Sequence, residues 1–80
     1  MAKFLVSARN AKGKLLDAEV AHTLLKAEEA GARMIYDLTD DLFGTKSRQQ
    51  QNEALLFDGS KALVINVDQC AVHMEPLLEK

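Results

Sequence analysis

The chain has no tryptophan, one cysteine and one proline in its 80 residues. Each scarcity excludes something. A lone Cys70 rules out an internal disulfide framework, and with only His22 and His73 beside it no clustered zinc ligands can be drawn. The few aromatics, Phe4, Tyr36, Phe43 and Phe57, leave the core to aliphatic side chains and are not interleaved with basic residues for stacking bases. No apolar stretch approaches the roughly 20 residues of a membrane-spanning helix. The opening MAKFLVSARNAKGK has too short an apolar run for a signal peptide, so a cytoplasmic location is expected. Glycines are scattered: Lys12-Gly13-Lys14 lacks the upstream glycine and the following Ser or Thr of a phosphate-cradling loop.

What is present is an ordinary globular composition, 48% hydrophobic and 28% charged, which argues against disorder. A single domain over residues 1–80 is expected, with no internal repeat or linker. A chain of this length buries only roughly 60 to 65% of the surface that its unfolded form exposes. Without disulfide or metal it commonly gains the missing burial by oligomerising, so a homo-oligomer is expected. The net charge of −2 is unevenly spread. Residues 1–16 carry Lys3, Arg9, Lys12 and Lys14 with no acid, whereas residues 49–80 carry five acids against two lysines. Such asymmetry steers a partner, and lysines also protect an edge strand from unwanted pairing.

The organising stretch is Lys61–Met74, KALVINVDQCAVHM, the longest apolar run and the richest in β-branched residues. Leu63, Ile65 and Val67 share one face of an extended chain and, after Asp68-Gln69, so do Cys70, Val72 and Met74. Two strands joined by a tight bend are predicted. Upstream, residues 3–9 alternate as a strand, Asn10–Gly13 turn, and residues 14–16 return as a short second strand. The main helix is expected to begin at an Asp17 N-cap and to end at Gly31, with Val20, Ala21, Leu24, Leu25 and Ala27 as its apolar stripe. Residues 32–38 read as a third strand with Met34, Tyr36 and Leu38 on one face, ending at a turn through Asp40 and Asp41.

Residues 44–53, GTKSRQQQNE, contain no apolar side chain and are either a polar loop or a short helix begun by the capping-box spacing of Ser47 and Gln50. On this reading Gln50 carries no structural load. Asp58-Gly59 suggests a hairpin that pairs residues 54–57 with residues 62–67. Pro76 stops the last strand and leaves residues 75–80 as a tail. The fold class is therefore α+β: a small, largely antiparallel curled sheet, open or barrel-like, with one main helix in the order β-β-α-β-β-β-β. The alternative replaces the fourth strand by a second helix.

No catalytic, metal or cofactor motif emerges. His22, at helical spacing from Glu19 and Lys26, has no nucleophile assigned to it, and an exposed rim histidine is the plainer reading. His73 falls on the solvent side of its strand, and a metal set of His22 and His73 with Asp37 or Cys70 is one of many combinations that a short chain offers. Cys70 reads as a small buried hydrophobe. Asp37, Asp40 and Asp41 read as turn formers before they read as a magnesium site.

The leading expectation is a non-enzymatic binding or regulatory protein that occupies a protein partner. Phage and mobile-element accessory proteins, some of which inhibit host systems, are commonly of this kind. Its partner-binding residues would be Arg9, Lys12, Lys14, Lys46, Arg48, Gln49 and Gln50, on the basic hairpin and the polar segment. A second expectation is an oligomeric sponge holding a phosphate-containing small ligand between protomers with Arg33, Lys46 and Arg48. A third is weak nucleic-acid binding through the basic hairpin, against which stands a pI near 5.6.

Overall fold

A computed structural model describes residues 3–39 and 45–77. It contains β1 (Lys3–Arg9), β2 (Leu15–Ala21), α1 (Leu24–Thr39), α2 (Thr45–Ala54), β3 (Leu63–Val67) and β4 (Cys70–Leu77). The four strands form one sheet in the order β2-β1-β4-β3, and every neighbouring pair is antiparallel. The class is the expected α+β, but the sheet is open and the element order is β-β-α-α-β-β.

The stretch chosen as organiser folds as predicted. β3 and β4 close on the pair Val67 and Cys70 around a two-residue turn in which Asp68 takes φ 54°, a left-handed conformation that Asp tolerates better than most residues. Leu63, Ile65, Val67, Val72 and Met74 face the helices, with Ile65, Val67, Val72 and Met74 buried. Phe4, Val6 and Ala8 of β1 continue the same layer. Phe4 also meets Phe57 edge to face, with ring centroids 5.7 Å apart.

Residues 17–38 depart from expectation. Asp17 caps no helix: residues 17–21 extend β2, whose register runs from Arg9 opposite Leu15 to Phe4 opposite Ala21. The N-cap is Thr23, whose Oγ1 accepts from the Lys26 amide at 3.1 Å. Gly31 does not end the helix; it lies inside it and is buried. The buried stripe is Ala27, Ala30, Gly31, Met34 and Ile35, at the i, i+3, i+4, i+7, i+8 spacing of one helical face, while Leu25 and Tyr36 are exposed. A Cβ at position 31 would sit 2.9 Å from Met74 Sδ, so glycine is what lets α1 lie this close to β4. The expected third strand over residues 32–38 is thus the second half of α1.

The hairpin expected at Asp58-Gly59 is instead the turn between α2 and β3. Gly59, at φ 83°, packs so closely on Phe4 that a Cβ would lie 2.9 Å from its ring. The alternative second helix is present: α2 is polar up to its last residue, Ala54, which is buried and meets α1 at Gly31. Pro76 does not stop β4, which pairs with β1 as far as Leu77 opposite Lys3. β3 has ended by then, at Leu63 opposite Met74. At Pro76 the strand therefore has a neighbour on one side only, where a sheet tolerates a residue without an N–H. The turn through Asp40, Asp41 and Phe43, and residues 78–80 of the tail, lie outside the described residues.

Candidate functional site

β2 is the terminal strand on one side of the sheet, so its outward peptide groups have no strand beside them. Six of its seven residues are exposed, Ala21 being the exception. Side chains alternate across it. Asp17, Glu19 and Ala21 pair with Ala8, Val6 and Phe4, which places them on the helix side. Ala18 and Val20 pair with Ser7 and Leu5 and stand on the bare side, as does Leu15 opposite Arg9. The register shifts between Ala8 and Arg9, leaving Leu16 as an extra residue; this bulge confines regular pairing on the outer edge to Asp17–Ala21.

Between this edge and the first half of α1 runs an open groove of about 680 Å³. Its floor includes the small buried residues Ala21 and Ala30, and its walls carry Glu19, Lys26, Glu29 and Arg33, with His22 and Thr23 at one end. Arg33 spans the two elements, 3.7 Å from Asp17 and 3.6 Å from Glu19, and Lys26 lies 3.5 Å from Glu29. All these groups are substantially exposed, so the pairs add little to the stability of the fold. Glu19 and Glu29 balance Lys26 and Arg33 in the groove's lining, and Asp17, on the same side of β2 beyond it, adds a third carboxylate that shares Arg33.

The opposite edge is partly covered. α2 packs beside β3, and Gln50 Nε2 donates to the Asn66 carbonyl at 2.8 Å. A side-chain amide thus stands where a neighbouring strand would offer a backbone one. Gln50 Oε1 is buried and receives no hydrogen bond. The polar segment is therefore structural at this residue, contrary to the expectation that Gln50 carries no load.

The basic hairpin is built rather than merely displayed. Asn10 Oδ1 accepts the amides of Lys12 (2.9 Å) and Lys14 (3.0 Å), the Gly13 amide returns to the Asn10 carbonyl, and Gly13 adopts φ 81°. Arg9 Nη1 donates to the Gly13 carbonyl at 2.9 Å. Pairing of Ala71 with both Arg9 and Asn66 puts this hairpin at the same end of the sheet as the Gln50 contact, two strands or about 10 Å away. Arg48 and Gln49 are exposed on α2, while the side chain of Lys46 lies outside the described residues. Arg33, the remaining member of the phosphate set, is engaged by two carboxylates.

Comparison with family models, with curated proteins and with solved structures finds no match.

The other residues weighed for chemistry are dispersed. His22 is an exposed turn residue and not part of a helix, although it still shares the groove with Glu19 and Lys26. His73 is half-buried on the bare face opposite Ser7 and Val64. Cys70 is half-buried on the helix side of β4. Asp37 borders a smaller cleft of about 230 Å³ with Leu16, Asp17 and Met34. Among the described residues no three His, Cys, Asp or Glu side chains gather as a metal site, and no helix is long and apolar enough to cross a membrane. Hydrogen bonds from the Ser60 hydroxyl (2.6 Å) and amide (2.9 Å) hold the Asp58 carboxyl below its ordinary value, which shapes a turn and builds no site.

Proposed function

We propose that this protein is a non-enzymatic binding module that receives an extended segment of a protein partner alongside β2. The observation that carries the reading is the asymmetry of the sheet: one edge has α2 beside it and a carbonyl taken by Gln50, and the other is an exposed strand beside a groove. In strand addition, main-chain hydrogen bonds supply affinity, and pockets for alternate side chains supply specificity. The bulge and the inward-pointing acids of β2 are also devices by which sheets discourage indiscriminate pairing. On this reading they select a partner as well as exclude others.

The test is selection of binders from a library of random ten-residue peptides, followed by amide NMR of the complex. Perturbation and slowed exchange centred on Asp17–Ala21 are expected. Changes centred on Arg9, Lys12, Lys14 and Arg48 instead would move the partner to the basic hairpin and sink the reading.

Homo-oligomerisation has a separate observation in its favour. Leu15, Val20 and Val64, each 47–49% exposed, lie on the sheet face that no helix covers. Native mass spectrometry of the full chain, with and without Val64→Lys, reads it directly: a multimer lost in the variant is the expected result. A phosphate sponge finds less support, because Arg33 already has carboxylate partners.

A further inference from the structure

We infer that the segment accepted by β2 is not a second copy of this chain but a strand from another protein, with Lys or Arg at alternate positions and apolar residues between them. The inference rests on the strand-addition reading above and specifies its ligand.

The exclusion of a second copy follows from the register. Two β2 strands paired antiparallel about a twofold axis perpendicular to the sheet keep each face with itself, so helix-side residues meet helix-side residues. Centring the pair on Asp17, Ala18 or Glu19 sets Asp17 against Asp17, Asp17 against Glu19, or Glu19 against Glu19. Like charges directly opposite each other oppose pairing. Moving the centre to Val20 puts Glu19 opposite Ala21 but shortens the ladder to three residues, and moving it the other way runs into the bulge at Leu16. No register gives a long ladder without opposed carboxylates.

The same positions describe what fits. A foreign strand alongside Asp17–Ala21 points alternate side chains over the helix side, where Asp17 and Glu19 share the single cation Arg33 and Glu29 has Lys26, leaving one carboxylate in excess. A long basic side chain suits this place: its aliphatic stem lies over the small floor of Ala21 and Ala30, and its charge reaches the carboxylates. The intervening side chains fall beside Ala18 and Val20 on the bare face, where apolar residues suit these two neighbours.

The probes are three capped nine-residue peptides in which valine alternates with lysine, threonine or glutamate. Each is N-methylated along one edge so that it cannot stack on itself. Titrated into the full chain and followed by amide NMR, the lysine peptide is expected to perturb Asp17–Ala21 and to bind about tenfold more tightly than the threonine peptide at low salt, as two exposed ion pairs allow. This advantage should shrink as salt rises, and the glutamate peptide should bind weakest. In Asp17→Asn/Glu19→Gln, with the melting temperature checked, the lysine preference should fall to within about twofold, and the variant should begin to self-associate through β2. Equal binding of the lysine and threonine peptides overturns the charge rule and leaves strand addition standing. Failure of all three to perturb Asp17–Ala21 overturns strand addition itself. Wild-type chains that pair through β2 overturn the exclusion of a second copy.

Discussion

The two edges of the sheet meet the same problem in opposite ways. β3 is short, flanked by α2, and has a carbonyl taken by the Gln50 amide; β2 has no cover and relies on a bulge and two inward carboxylates. Cover obstructs an edge, because a helix stands beside it and one of its carbonyls, that of Asn66, is already taken. Charge and irregularity filter: they reject like surfaces while leaving the main-chain donors and acceptors accessible. An edge of the first kind is architecture, and an edge of the second kind can bind.

The contrast can be broken most severely at the covered side. Ile65 is 2% exposed beneath the helices, so Ile65→Asp places an unpaired carboxylate in the core and should abolish cooperative folding, a cost of about 3–5 kcal/mol. Circular dichroism and a denaturant melt would check it, and a soluble variant with native-like unfolding would remove β3–β4 from the centre of the fold. A smaller loss is expected from Gly31→Val. The added carbons collide with Met74, lift α1 and disturb Ala54 of α2, for about 1–3 kcal/mol by the same melt.

Gln50→Ala tests the comparison more finely. Loss of the bond to Asn66 should cost about 1 kcal/mol, offset in part because the orphaned Oε1 leaves with it. The sharper readout is exchange: amides around Asn66 should open faster while those of β2 stay unchanged. Equal acceleration at both edges would mean that Gln50 supports the whole domain and not one edge.

The smallest effect concerns the turn that carries the chain from α2 into β3. Asp58 has its folded pKa depressed below the ordinary 3.8 by its Ser60 hydrogen bonds. Its contribution is therefore present above the unfolded value and lost as pH falls through the lower folded one. Comparing the acid limbs of wild type and Ser60→Ala by thermal melts should show a slightly shallower fall in the variant. Identical limbs would remove Asp58 from the acid response.

How far the sequence disclosed this follows from the range of each determinant. The β3–β4 hairpin was legible because its period-two pattern and its bend are local, and because both strands bury the same face. Residues 17–31 were not. Asp17 and Glu19 have the composition of a helix start, yet they are inward acids of an edge strand. Gly31 has the look of a terminator, yet it is a contact surface whose partner, Met74, lies far along the chain. The buried stripe of α1 is partly Ala and Gly, so it carries little hydrophobic signal. The candidate site was invisible for a deeper reason: being an edge belongs to strand order, which no window of residues contains. The basic residues favoured in its place were conspicuous only by charge.

Strand order has a kinetic consequence as well. The two inner strands, β1 and β4, come from opposite ends of the described chain, and their ladder joins Lys3 to Leu77. The hairpins β1–β2 and β3–β4 form from neighbours and close short loops, whereas their union closes a loop of almost the whole chain. The latest event in folding should then be the docking of two preformed hairpins, with the first waiting for the second to be synthesised. During that wait the inner edge of β1 stands as bare as β2, and neither the bulge at Leu16 nor the pair of carboxylates guards it.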